Sequence, residues 1–171
     1  MATSNKNITF KGEPITVSGR EVKLGDAVPD FTITGTDMSD VTINTFAGKV
    51  VVLSVVPSLD TPVCAIQTRK FNEEAASLSS DVAILTVSRD LPMAQKRWCG
   101  AEGINKVVCA SDYKYRNFGQ AFGVDLESLG LLARAVFVVG KEGKIEYVEY
   151  VDEVAEEPQY EPVLAKVREL L

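Results

Sequence analysis

The sequence predicts one α/β domain, a mixed central sheet flanked by helices. Three observations predict it. KVVVLSVV, Lys49–Val56, is β-branched and nearly all apolar, the look of a strand buried on both faces. A helical pattern and a second apolar run, Val82–Val87, follow it, and strand, helix, strand implies parallel pairing. Later, Ala135–Val139 and Lys144–Val151 flank the turn Gly140-Lys141-Glu142-Gly143, which makes an antiparallel hairpin.

The remaining elements follow in chain order. An N-terminal β-hairpin occupies about residues 8–18: Ile8–Lys11, a turn at Gly12-Glu13-Pro14, then Ile15–Ser18. Phe31–Thr34 and Val41–Ile43 are short alternating runs across the turn-rich Gly35-Thr36-Asp37. Pro57 stops the central strand because it cannot donate to a ladder. From Pro62 to about Leu78, the residues Cys64, Thr68, Phe71, Ala75 and Leu78 fall on one helical face. Leu91–Cys99 reads as a helix ended by Gly100. Lys106–Ala110 reads as a strand, and Tyr115–Phe122 as a short helix closed by Gly123. A last helix runs from about Pro158 to Leu170. Parallel units first, then a hairpin and a helix, fit a thioredoxin-like sandwich better than an all-parallel doubly wound fold. No repeat or linker divides the 171 residues, so 1–171 is read as a single domain.

Composition narrows the chemistry. Hydrophobic residues make up 46% and charged residues 25%, a globular mixture that excludes disordered and collagen-like classes. The longest apolar run, Val50–Pro57, is far short of the ~20 residues of a membrane span. MATSNKNITF lacks the charged-then-apolar pattern of a signal peptide, and cytoplasmic residence is expected. A net charge of −6 without a basic run argues against nucleic acid or an anionic membrane as partner. Histidine is absent, which removes Ser-His-Asp triads, Cys-His pairs and His-ligated metals. The three cysteines, Cys64, Cys99 and Cys109, form no C-x-x-C.

Cys64 closes PSLDTPVC, the stretch that carries the chain from the buried strand into a helix. In open α/β sheets, sites collect beyond the carboxyl ends of strands. Thr61 suits the N-cap and Pro62 the first helical position, which puts Cys64 in the first turn. Unpaired N–H groups and the helix dipole favour an anion there, so a thiolate can be activated without imidazole. A buried structural cysteine remains the alternative, since free cysteine is among the most buried residue types.

The spacing P-x-x-x-T-x-x-C between strand and helix resembles the active-site signature of the peroxiredoxins. SDVTINTFAGK (39–49), RKFNEEAA (69–76), SRDLPMAQKRWCGAEG (88–103) and ARAVFVV (133–139) extend the likeness over nearly the whole chain. It points to the thiol peroxidase subfamily, the atypical two-cysteine peroxiredoxins. The resemblance implies a peroxiredoxin fold and a role for each matched residue. Cys64 would be the peroxidatic cysteine, Thr61 would hydrogen-bond the peroxide, and Pro57 would shield the pocket. Arg134 matches the family's active-site arginine; taken alone, it could be a strand-end ion pair. Cys99 would resolve the Cys64 sulfenic acid as an intramolecular disulfide. Hydroperoxides would be the substrates, a thioredoxin-type protein the reductant, and a homodimer the assembly. No cofactor or metal is implied.

The other features read more plainly. Cys99 lies beside Gly100, where a helix end frays cheaply, and local rearrangement is expected before it can meet Cys64. Cys109, in the apolar strand KVVCAS, reads as a buried structural thiol. Trp98 reads as core or as a lid over the neighbouring thiol. Asp152, Glu153, Glu156 and Glu157 read as a solvated acidic stretch. A disulfide oxidoreductase on the same fold is disfavoured by the missing C-x-x-C. A non-enzymatic domain with inert thiols is the other alternative.

Overall fold

The computed structural model describes residues 7–75 and 77–171. In chain order the elements are β1 (Ile8–Phe10), β2 (Glu13–Ile15), β3 (Ile33–Gly35), β4 (Asp40–Val41), β5 (Val50–Val55) and α1 (Pro62–Ala75). Then come β6 (Val82–Ser88), α2 (Pro92–Glu102), β7 (Val108–Ser111), α3 (Asn117–Phe122), β8 (Asp125–Leu126) and β9 (Leu131–Leu132). The chain finishes with β10 (Ala135–Val139), β11 (Ile145–Tyr150) and α4 (Tyr160–Leu170).

Among the described residues, seven strands form the central sheet in the order β11-β10-β5-β6-β7-β3-β4. The β5–β6 and β6–β7 pairs are parallel, whereas β10 runs antiparallel to both β5 and β11. The expected mixed α/β sandwich is therefore present, with its N-terminal hairpin formed by β1 and β2. All six residues of β5 are buried, and their alternation assigns them to two cores. Val50 and Val52 pack with Phe71 of α1 and Val163 and Val167 of α4. Val51, Leu53 and Val55 face the opposite way, towards Phe31, Phe118, Phe122 and Phe137. Burial on both faces fixes the end of β5 in space, and the site is built at that end.

Several boundaries depart from expectation, each for a local reason. The N-terminal turn is Lys11-Gly12, with φ of +53° and +83°, so Glu13 and Pro14 belong to β2 and Ser18 lies beyond it. Two left-handed residues make the tight turn that hairpins favour, and Pro14 is tolerated because β2 is an edge. Gly100 lies inside α2; the left-handed residue that ends the helix is Gly103, at φ +67°. The N–H groups of Gly103 and Ile104 both return to the Cys99 carbonyl. α1 is helical to Ala75; of its expected extension, residue 76 lies outside the described residues and Ser77-Leu78 turn back onto Glu74 and Ala75. α3 begins only at Asn117, because Arg116 is left-handed. A 3-10 turn at Ile43–Phe46 and the two-residue strands β8 and β9 went unforeseen; such short elements carry no periodicity to read.

Gly100→Ala should stabilise the reduced protein by ~0.5–1 kcal/mol, since alanine outperforms glycine inside a helix. A Cβ there meets nothing within 4 Å. Gly103→Ala should instead cost ~1 kcal/mol or more, the penalty of a left-handed alanine. Urea midpoints that move in the same direction for both variants would place the helix end elsewhere.

Candidate active site

β5 delivers the chain to Val56 and Pro57, both buried, at the carboxyl end of the parallel strands. The loop after Pro57 is clamped by Asp90, which follows β6. Ser58 Oγ donates to Asp90 Oδ1 at 2.6 Å, the Leu59 N–H to Oδ2 at 2.8 Å, and Ser88 Oγ to Oδ2 at 2.7 Å. This clamp sets where α1 starts. Pro62 opens the helix, and the Thr61 carbonyl accepts the Ala65 N–H, so Thr61 holds the N-cap position. Its hydroxyl lies 2.7 Å from Cys64 Sγ and 2.8 Å from the Ser58 carbonyl. Cys64 sits in the first turn, with no exposed surface.

Arg134, immediately before β10, enters this site from the other side and is 2% exposed. Its Nε donates to the Val154 carbonyl at 2.8 Å, Nη1 to Gln67 Oε1 at 2.7 Å, and Nη2 to Cys64 Sγ at 3.2 Å. Among the described residues no carboxylate lies within ion-pair distance of it. The strand-end ion pair is therefore not the arrangement found. A buried guanidinium without a counter-charge is costly, and of its three partners only the sulfur can become an anion. The geometry suits a Cys64 thiolate held between a hydroxyl, a guanidinium and a helix N-terminus.

A cavity of about 210 Å³ opens beside these groups, lined by Phe10, Pro57, Thr61, Arg134 and Val154 among others. Pro57 thus lies where a shielding residue is expected. Sequence reasoning missed four contributors. Gln67, fully buried, orients Arg134 while its own amide donates to Ser54 Oγ at 2.8 Å. The available signal is a glutamine on the apolar face of α1. Asp90, Phe10 and the Val154 carbonyl have none, since only the tertiary fold brings them in.

Glu153 corrects the reading of a purely solvated acidic stretch. Its carboxylate accepts the Ala155 N–H at 2.6 Å, the Gly12 N–H at 2.7 Å and the Thr9 hydroxyl at 3.2 Å. The bond from Ala155 is the main reason its carboxyl stays below the usual range. It ties the N-terminal hairpin to the segment whose Val154 carbonyl holds Arg134. Asp152, Glu156 and Glu157 are exposed, as expected.

The structure contains all three cysteines as free thiols. Cys64 and Cys109 belong to one buried cluster with Val56 and Leu59, and Trp98 and Cys99 pack against it. Trp98 is half-buried there, with the Arg69 guanidinium 6.0 Å from its ring. Cys99, in α2, is half-buried, and its Sγ lies 3.2 Å from Cys109 Sγ in β7. The S–H of Cys109 holds the Cys99 thiol below its ordinary range. The same contact, with burial second, pushes the Cys109 thiol up.

Fold and site together define a thiol-based enzyme of the peroxiredoxin class, on a thioredoxin-like fold and without C-x-x-C. Comparison with known proteins agrees. The Redoxin family model matches residues 23–164. A thiol peroxidase of Oceanobacillus iheyensis is 54% identical over 93% of this chain and 96% of its own. One of Bacillus subtilis is 51% identical over 96% and 98%. A peroxiredoxin-like protein from Aquifex aeolicus, known by crystal structure, superimposes with a TM-score of 0.90 at 41% identity over all of both chains. The chain belongs to the Redoxin family, within its thiol peroxidases. Its activity is that of a peroxiredoxin-type, thiol-dependent peroxidase.

Gln67→Leu leaves the Arg134 Nη1 donor and the Ser54 hydroxyl without their buried partner. It should lower unfolding stability by ~1–3 kcal/mol, the cost of an unsatisfied buried polar group. An unchanged denaturation midpoint would mean that Gln67 does not position Arg134.

Proposed function

We propose that Cys64 is the peroxidatic thiol and Cys99 the resolving thiol of an intramolecular cycle. The observation that carries this reading is the approach of Arg134 Nη2 and Thr61 Oγ1 to the same sulfur. The Cys64 thiolate attacks one oxygen of a hydroperoxide lodged in the cavity. The S–O bond forms as the O–O bond breaks, and the departing oxygen takes a proton to leave as water or an alcohol. The Thr61 hydroxyl donates to the peroxide, while the fork of Arg134 steadies charge as it passes from sulfur to oxygen. Pro57 walls the pocket from water. The Cys99 thiol then attacks the Cys64 sulfenic sulfur, water leaves, and a Cys64–Cys99 disulfide remains.

Cys64 and Cys99 both start with other partners, so the first turn of α1 and the last turn of α2 open locally for this step. The two bonds to the Cys99 carbonyl from Gly103 and Ile104 are those that unwinding releases. Thioredoxin-type dithiol proteins are the general reductants of such peroxidases; here one restores both thiols by exchange at the half-exposed Cys99. The cytoplasm, which keeps thiols reduced, is the compartment we assign. The working assembly is a homodimer, and the folded unit is a single domain, as likeness to the family implies.

Arg134→Lys keeps the charge but loses the planar fork. It should slow the second-order reaction with peroxide by ~10-fold or more, equivalent to ~1.4 kcal/mol. Stopped-flow rates equal to wild type would remove Arg134 from the mechanism. Cys99→Ser should still consume one equivalent of peroxide, then stall as a sulfenic acid that over-oxidises readily. Sustained thioredoxin-coupled turnover by this variant would exclude Cys99 as the resolving thiol.

A further inference from the structure

The proposed cycle uses two thiols and leaves Cys109 idle, yet the Cys99 and Cys109 sulfurs are 3.2 Å apart. A disulfide is ~2.05 Å long, so closure by about 1.2 Å (3.2 − 2.05) would bond them. We propose that Cys109 is a third redox thiol, which takes over the disulfide from Cys64 and stores it as a Cys99–Cys109 bond. The proposal rests on the reading of Cys64 and Cys99 given above.

The step is a thiol–disulfide exchange. The Cys109 sulfur attacks Cys99 Sγ, the Cys99–Cys109 bond forms and the Cys64–Cys99 bond breaks. Cys64 departs as a thiolate and the Cys109 proton passes to solvent. No external oxidant or reductant is needed, because one disulfide replaces another.

Three features favour the exchange. First, the fold itself drives it. The Cys64–Cys99 bond needs two helix ends to open, whereas the Cys99–Cys109 bond joins atoms already touching in the closed fold. Second, the departing Cys64 sulfur has donors to return to, the Thr61 hydroxyl and the Arg134 guanidinium. Third, mobility is distributed correctly. Cys109 is paired opposite Thr86 in the parallel ladder, and Cys64 is seated in the first turn of α1. Cys99 touches Cys109 in the closed fold and sits on a helix end that can unwind, so it is the thiol able to serve both partners.

The consequence is a reloaded enzyme. With the disulfide moved to Cys99–Cys109, Cys64 is free to meet a second peroxide before any reductant arrives. The reductant still attacks Cys99, the less buried residue of the pair.

Peptide mapping tests this on the whole chain. Trypsin separates the three cysteines, since Arg69, Arg97 and Lys106 lie between them. Reduced wild type is given one equivalent of hydrogen peroxide, alkylated and digested. The expected product is the 98–106 peptide linked to 107–114, with Cys64 alkylated. A second equivalent should then make Cys64 reactive to dimedone. Cys109→Ala should instead show Cys64 linked to Cys99 and no dimedone adduct. Because Cys109→Ala could misfold, Cys64→Ser supplies a second arm: diamide should link Cys99 to Cys109 within one chain. Wild type that stays linked only through Cys64 and Cys99 overturns the proposal and leaves the two-thiol cycle standing. A folded Cys109→Ala without a Cys64–Cys99 bond overturns the two-thiol cycle instead. Failure of Cys64→Ser to form the bond overturns the pairing of Cys99 with Cys109.

Discussion

Arg134 is a cation almost entirely removed from water, and the rest of the site is arranged around that fact. Two of its three partners are neutral carbonyl oxygens; the third is the Cys64 sulfur. A buried charge is tolerated only when its donors are satisfied and its counter-charge is near. Among the described residues no carboxylate reaches it, and in the proposed reading the counter-charge comes from the thiol itself. In the proposed cycle, the same interaction that makes Arg134 bearable in the interior holds the attacking Cys64 sulfur, so stability and reactivity are linked through one contact. Sheet register supplies the geometry. Ala135, next to Arg134, pairs with Val55, two residues before Pro57, so the arginine and the cysteine loop leave neighbouring strand ends.

The support extends well beyond the site. Glu153 joins the N-terminal hairpin to the Val154 segment, and the ladder bonds of Thr9 with Asp152 and Val154 lie alongside. Asp90 holds the loop ahead of α1 from the opposite side. Every such restraint acts on neutral or anionic groups and, among the described residues, leaves the guanidinium no carboxylate. A carboxylate in reach would satisfy Arg134 without the thiolate and weaken its hold on Cys64.

Legibility of the fold in the sequence tracked how far a signal reaches along the chain. β5 and the β10–β11 hairpin were readable because runs of apolar residues and a glycine-flanked turn are local facts. The end of α2 was not, since Gly100 and Gly103 both look like helix stops and only φ distinguishes them. Cys64, Thr61 and Arg134 were visible through a strand-to-helix motif and an arginine entering an apolar run. Gln67 left only the faint signal of a glutamine on the apolar face of α1, and Glu153 stood as one of several neighbouring acids. The contact between Cys99 and Cys109 depends on how α2 lies against β7, a tertiary matter that no spacing in the chain encodes.

The central claim is that Arg134 and Cys64 stabilise one another as an ion pair in the folded interior. A double-mutant cycle on unfolding free energy tests it most directly, with reduced wild type, Cys64→Ala, Arg134→Met and the double variant. The account predicts a coupling energy on the order of 2 kcal/mol, as for a buried hydrogen bond between charged groups. Effects of the two substitutions that simply add, with coupling near zero, would contradict it.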